Sequence, residues 1–468
     1  MNPIFKRFTT LIIISIITIA CYYSFAYQLE RPRFIELFSL YTSLFFLAYI
    51  LIEKLKLNFW VLVGLGMCFR LIFIFAIPNL SQDFYRFIWD GRVVSQGISP
   101  YLFTPEMYFS QVSETIGKLI PLADELYKGM GSLSANNYSN YPPINQLFFA
   151  VATVLGGKSI MGTVIALRIL IIFADLGILY FGKKLLQKLE LPIENIFWFF
   201  LNPFIIIELS GNLHFEGVML VFLIWALNVF FKGNWFWAAV LFGISISVKL
   251  IPLLLLPIFI KYFSKNKLDK EVLHSWISTF SNLFKFYFVI GITLLLTFLP
   301  FLSVEFLQNF SSTIALWFQK FEFNASIYYV IRWIGFKVVG WNIIEIVGKI
   351  LPLVTLLIIF GISLLRRNKN PHQMIHSMLF AISFYFLLST TVHPWYVATP
   401  LLLSVFTPYK FPLIWSFMVF LSYSAYGSEG FNENLGLVSL EYITVIALAI
   451  WEIGRSRQKA FMFQKDNV

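Results

Sequence analysis

Hydrophobic positions in this chain fall in long unbroken runs separated by short polar punctuation. Apolar stretches lie near residues 8–29, 34–52, 58–78, 160–182, 193–209, 215–231, 234–249, 250–262, 283–302, 343–365, 373–391, 395–409, 411–427 and 437–454. Such runs predict helices, because lipid leaves a spanning backbone no other way to satisfy its N–H and C=O groups, short of a closed barrel. The expected fold is all-α and polytopic, a single transmembrane domain over residues 1–468 with about 12–14 transmembrane helices of about 20 residues or fewer. An even count puts both termini in the cytoplasm, as in a multi-pass protein of the cell (inner) membrane.

Two regions break the pattern. Residues 79–141 form a long non-spanning loop, extracytoplasmic by parity. Within it Val112, Ile116, Leu119, Ala123 and Leu126 recur at helical spacing among Glu114, Lys118, Asp124 and Glu125. That spacing predicts an amphipathic helix on the membrane surface. Residues 303–342, aromatic and mixed, are expected to be a second extracytoplasmic, interfacial segment.

Composition removes the soluble alternative. Hydrophobic residues make up 59% and charged residues 13%, against about 45–50% and about 25% in soluble domains. The net charge of +11 does not point to nucleic acid. The basic residues concentrate in loops assigned to one side, such as Lys183, Lys184, Lys188, Lys261, Arg366 and Arg367, which is the positive-inside bias. Membrane lipid is the implied partner, and no nucleic acid. Cys21 and Cys68 both sit in apolar runs and are expected to be buried thiols, neither a disulfide nor a metal pair.

Polar chemistry gathers at four places, all on one side of the membrane by the same parity. The segment "SQDFYRFIWDGRVVSQGISPY" carries Asp83, Arg86, Asp90 and Arg92 just after the third span. A carboxylate at a membrane–water boundary can accept a proton from a hydroxyl, and neighbouring arginines can grip phosphate. "LNPFIIIELSGNLHFEG" brings Glu208, Asn212, His214 and Glu216 beside Pro203 and Gly211, a pattern for broken backbone lining a cavity. Acid, amide and imidazole groups suit sugar hydroxyls and would also accept a divalent cation, so no cofactor is assigned. Lys249 stands alone between two apolar stretches, and His393 opens the aromatic turn "HPWY". Arg70, Arg168 and Asp175 lie inside spans. They are expected to include a structural ion pair of Arg70 or Arg168 with Asp175.

In order along the chain, "DFYRFIWDGRVVSQGISPY", "NYPPINQLFF", "LRILIIFAD", "NPFIIIELSGNLHFEG", "VKLIPLLLLP", "FEFNASIY" and "HPWY" resemble the GT-C superfamily of integral-membrane glycosyltransferases. The resemblance is greatest to its polyprenyl-phosphate-mannose-dependent branch. It runs through residues 58–400 and departs in having two helices before the matching span. It implies inverting transfer of one sugar, mannose by resemblance alone, from a polyprenyl-phosphate donor to a glycan or glycolipid acceptor outside the cell membrane. Asp83 matches the superfamily's general base. Lys249 then holds the donor phosphate, helped by His393 and Arg92. Glu208, Asn212, His214 and Glu216 bind sugar or acceptor, with Asp90 orienting an arginine beside them. Tyr101, Tyr141, Trp395 and Tyr396 stack on sugar faces or seat the prenyl chain, unless they form an interfacial aromatic belt.

Two other classes compete. A transporter or flippase of a lipid-linked or polar solute would rest on midplane charges such as Arg70, Arg168 and Asp175. The other class is a different membrane transferase, such as an O-antigen ligase or an acyltransferase, the latter resting on a membrane-embedded histidine.

Overall fold

Helix starts in this chain are written locally. Asn58 caps α3 (Phe59–Ile72) by accepting from the Trp60 N–H at 2.9 Å. Ser159, Asn234, Ser303 and Asn370 do the same for the helices Ile160–Lys188, Trp235–Val248, Val304–Gln319 and Pro371–Leu388. Each cap satisfies an N–H that the first helical turn would otherwise leave unpaired. The computed structural model describes residues 3–55, 57–110, 120–263, 272–428 and 430–465. Within them the architecture is helical apart from a short antiparallel pairing of Tyr426–Gly427 with Gly430–Phe431 and an isolated parallel bridge of Phe323 with Thr391.

Among the described residues six helical segments are long and apolar enough to cross a membrane: Phe8–Tyr27, Phe34–Lys54, Ile160–Lys188, Phe280–Phe301, Ile344–Leu365 and Leu435–Arg455. A seventh arises if Ile193–Phe200 and Pro203–Gly211, bent by 48°, count as one span. Apolar segments near 215–231, 234–249, 250–262 and 411–427 fall instead among helices of 10–17 residues. The segment near 395–409 divides into Pro394–Val397 and Ala398–Ser404. Apolarity alone thus identified the protein as multi-pass, while proline and buried polar residues shortened or broke the spans around the polar centre. One apolar helix of this shorter kind, Pro143–Gly156, was not among the expected spans. The outward faces are apolar, with Leu357 and Phe284 largely exposed, as lipid-facing helices require. Most of the amphipathic helix expected over 112–126 lies outside the described residues; Ala123–Ala135 is helical.

Three devices position the centre. The first two helices, α1 (Pro3–Tyr27) and α2 (Phe34–Tyr49), form a hairpin. The Asn79 side chain donates to the Phe25 and Leu29 carbonyls at 2.8 and 3.1 Å, tying that hairpin to the strand of chain entering α4 (Asp83–Ser95). α4 then lies so close to Pro143–Gly156 that a Cβ on Gly91 would run into the Phe149 carbonyl. Arg168, fully buried, donates to the carbonyls of Ile74, Ala76, Ser210 and Gly211 at 2.7–2.9 Å. One side chain therefore fixes the segment after α3 against the end of the broken helix.

Candidate active site

The broken helix follows from its sequence. Asn202 caps a new start and Pro203 takes its first position, where a missing N–H costs nothing. The chain then runs through a wide π turn, Ile206–Gly211, and leaves helical geometry until Glu216. Glu208, Asn212, His214 and Glu216 are delivered by this irregular stretch, and all four are buried. The Asn212 side-chain oxygen accepts from the Leu80 N–H at 3.2 Å, which brings the stretch directly against the approach to Asp83.

Asp83 is the first residue of α4 and is half-buried. Its carboxylate makes no hydrogen bond or ion pair among the described residues; only its backbone N–H is engaged, by Ser81 Oγ at 3.3 Å. Burial raises its pKa to about 6, with Glu216 adding to the rise and the charges of Lys249 and Arg31 opposing it. Lys249 ends the helix Trp235–Val248 in extended backbone and forms a close ion pair with Glu216. Its ammonium also stands 5.9 Å from the Tyr396 ring.

Trp395 stacks on two imidazoles: His214 at 3.5 Å between ring centroids and His393 at 4.6 Å, the latter with ring planes nearly parallel at 4°. Burial and the Lys249 charge depress both histidines, His393 to about 3. His214 Nε2 is 3.7 Å from Glu208 Oε2; with the ring held neutral this is not an ion pair. Glu208 instead accepts from the Tyr423 hydroxyl at 2.7 Å. The Tyr141 hydroxyl is raised well above its ordinary range, first by burial and then by Asp83. Glu208 Oε2, Asn212 Nδ2, His214 Nε2, Glu216 Oε2 and His393 Nδ1 are all buried without a hydrogen-bond partner among the described residues. Native interiors satisfy nearly all such atoms, so five in one place mark a surface made for a polar guest.

The structure thus gathers Asp83, Lys249, Glu208, Asn212, His214, Glu216, His393, Trp395, Tyr396 and Tyr141. It does not gather Arg92, Asp90 or Tyr101. Arg92 lies nine residues along α4, about 13 Å by helical rise, and spends its guanidinium on the Pro121 and Lys158 carbonyls. Asp90 pairs with Arg86 at 2.7 Å and accepts from Ser139 and Gln146 at 2.6 and 3.0 Å. Tyr101 is enclosed by Phe301, Phe306 and Phe310 and donates to the Tyr141 carbonyl at 2.6 Å. In the bundle, Arg70 pairs with Asp175 at 2.7 Å, both fully buried, whereas Arg168 takes only carbonyls. Among the described residues no three His, Cys, Asp or Glu side chains converge as metal ligands would.

Sequence reasoning missed Tyr423, far along the chain from its partner Glu208 and without any motif. It also missed Arg31, whose one signal is a basic residue in a short loop that parity puts on the same side as Asp83.

The fold and this centre define a multi-pass membrane protein that resembles GT-C-like mannosyltransferases. More particularly, residues 36–265, just under half the chain, match the family described as alpha-(1->6)-mannopyranosyltransferase, N-terminal domain. A stretch of 158 residues, 34% of the chain, is 26% identical to alpha-(1->6)-mannopyranosyltransferase B of Corynebacterium glutamicum. That stretch spans 24% of the length of the relative.

Proposed function

We propose that the protein is a membrane mannosyltransferase that moves mannose from a polyprenyl-phosphate donor to a hydroxyl of a glycan or glycolipid acceptor, on the extracytoplasmic side and with inversion. The observation that carries the reading is Asp83: a half-buried carboxylate with no side-chain partner among the described residues, raised to about 6, in the field of the Lys249 cation. A general base works best with a pKa near the operating pH and a free lone pair aimed at substrate. The acceptor oxygen attacks the anomeric carbon, its proton passes to Asp83, and the bond from that carbon to the phosphate oxygen breaks. The electron pair leaves with polyprenyl phosphate, whose growing charge Lys249 stabilises; a fixed cation at a partly dehydrated site is suited to this. One displacement at one carbon inverts its configuration. Glu208, Asn212, His214 and Glu216 offer the unpartnered acceptors and donors that sugar hydroxyls need.

Transport is the weaker reading. Its midplane charges are already committed, Arg70 to Asp175 and Arg168 to four carbonyls. The test is incubation of purified protein with a panel of polyprenyl-phosphate sugars and a mannoside acceptor, followed by mass spectrometry. Mannose transfer with release of polyprenyl phosphate supports the proposal; solute uptake into proteoliposomes without any transfer would overturn it.

A further inference from the structure

The hairpin of α1 and α2 lies ahead of residue 58, where the quoted motifs begin, but the family match starts at residue 36, so only α1 and the turn precede it. Its turn nevertheless reaches the centre. Asn79 holds the Leu29 carbonyl, two residues before Arg31 and four residues before Asp83 in its own segment. The Arg31 guanidinium carbon lies 3.2 Å from the centroid of the Tyr426 ring. Tyr426 packs on Tyr423, the partner of Glu208, and on Phe323, which packs on His393. Arg31 is therefore mounted on the wall that carries both Glu208 and His393.

Arg31 contacts the Tyr426 hydroxyl, but no carboxylate among the described residues pairs with its charge. The neighbouring acids Glu30 and Glu36 are both taken by Arg33, at 3.3 and 3.7 Å. Arg31 forms no ion pair among the described residues, and its Nε is buried without a hydrogen-bond partner. Lys249, in contrast, shares its charge with Glu216. Asp83 and His393 each feel both cations. A phosphate monoester carries about −1.5 to −2 charges near neutral pH, more than one paired lysine can balance. Stacking on Tyr426 with one contact to its hydroxyl leaves further guanidinium N–H groups for phosphate oxygens.

We propose that Arg31 is a second phosphate-binding residue, which the leading hairpin contributes to the donor site in addition to Lys249. This rests on the donor reading above. The leaving group would then be held by one cation from inside the family-like segment and one from outside it.

The test uses the full chain in phosphatidylcholine nanodiscs with tritiated undecaprenyl phosphate and undecaprenol as probes. Wild type is expected to prefer the phosphate. Arg31→Gln should weaken undecaprenyl phosphate binding about tenfold, the size of one charge-assisted hydrogen bond, and leave undecaprenol binding unchanged. Arg31→Lys keeps the charge without the fork and should fall between the two; it also carries the test if Arg31→Gln does not fold. A wild type that prefers the phosphate, with either variant indistinguishable from it, overturns the role of Arg31 and spares the donor reading. A wild type that does not distinguish the two probes sinks both. Displacement of the probe by equimolar phosphatidylglycerol would make this an ordinary headgroup contact and overturn the inference.

Discussion

Asp83 and Asp90 sit seven residues apart on one helix, and their surroundings are opposite. Asp90 is almost fully buried and saturated: Arg86, Ser139 and Gln146 supply an ion pair and two hydrogen bonds. Arg86 in turn binds the Ser134 and Asn137 carbonyls at 2.6 and 2.9 Å, so the cluster staples α4 to the chain ahead of Pro143–Gly156. Among the described residues the Asp83 carboxylate has none of this. It begins the helix, faces Lys249, Glu216 and Arg31 at longer range, and keeps its lone pairs free. A saturated carboxylate stabilises geometry; a free one beside unpartnered polar atoms is available for chemistry. The sequence presents both as aspartates beside arginines.

That contrast can be broken by mutation, taking effects on turnover from large to small. Asp83→Asn preserves size and removes the proton acceptor. Turnover in a purified transfer assay should fall about 10²-fold or more, with donor binding kept. An active Asp83→Asn beside an inactive Asp90→Asn would move the base role along the helix. Lys249→Ala should lower kcat/KM for donor about tenfold or more, because the leaving phosphate gains charge in the transition state. Wild-type rates at limiting donor would remove Lys249 from the mechanism.

The pH dependence sharpens the same point. Asp83 must be ionised to act, so turnover should rise with pH through about 6 and then level off. Lys249 opposes the rise in the Asp83 pKa, so Lys249→Ala should move that limb to higher pH. The stability sign is opposite. The folded chain holds this proton between about pH 4 and about pH 6, where the unfolded chain has released it. Stability from Asp83 is thus lost as pH rises through about 6, and Asp83→Asn should flatten that slope in thermal melts.

Asp90→Asn should have the smallest effect on chemistry and a large one on the fold. It leaves Arg86 buried without its counter-charge, a loss of about 3 kcal/mol, visible as a lower Tm. Turnover per folded molecule should stay within about threefold of wild type, an amount under 1 kcal/mol, with an unmoved pH limb. A shifted limb would show that Asp90 sets the pKa of Asp83 and that the two clusters are coupled.

Much of this was legible in the residues alone. Runs of apolar side chains specify helices in lipid whatever their neighbours, and caps such as Asn58, Ser159 and Asn202 specify where helices begin. Pro203 announced a break, and the order of the motifs marked Asp83, Lys249, Glu208 and His393 as polar groups worth assembling. Tertiary structure alone decided which charges were spent. Arg92 goes to carbonyls 29 and 66 residues away. Asp90 meets Ser139 and Gln146, Glu208 meets Tyr423 across 215 residues, and Arg31 meets Tyr426 from the opposite end of the chain. A side chain's local sequence sets its intrinsic chemistry. Whether that chemistry is satisfied or left available depends on partners brought together by packing, and in a helical membrane protein those partners lie at sequence distances that no local pattern records.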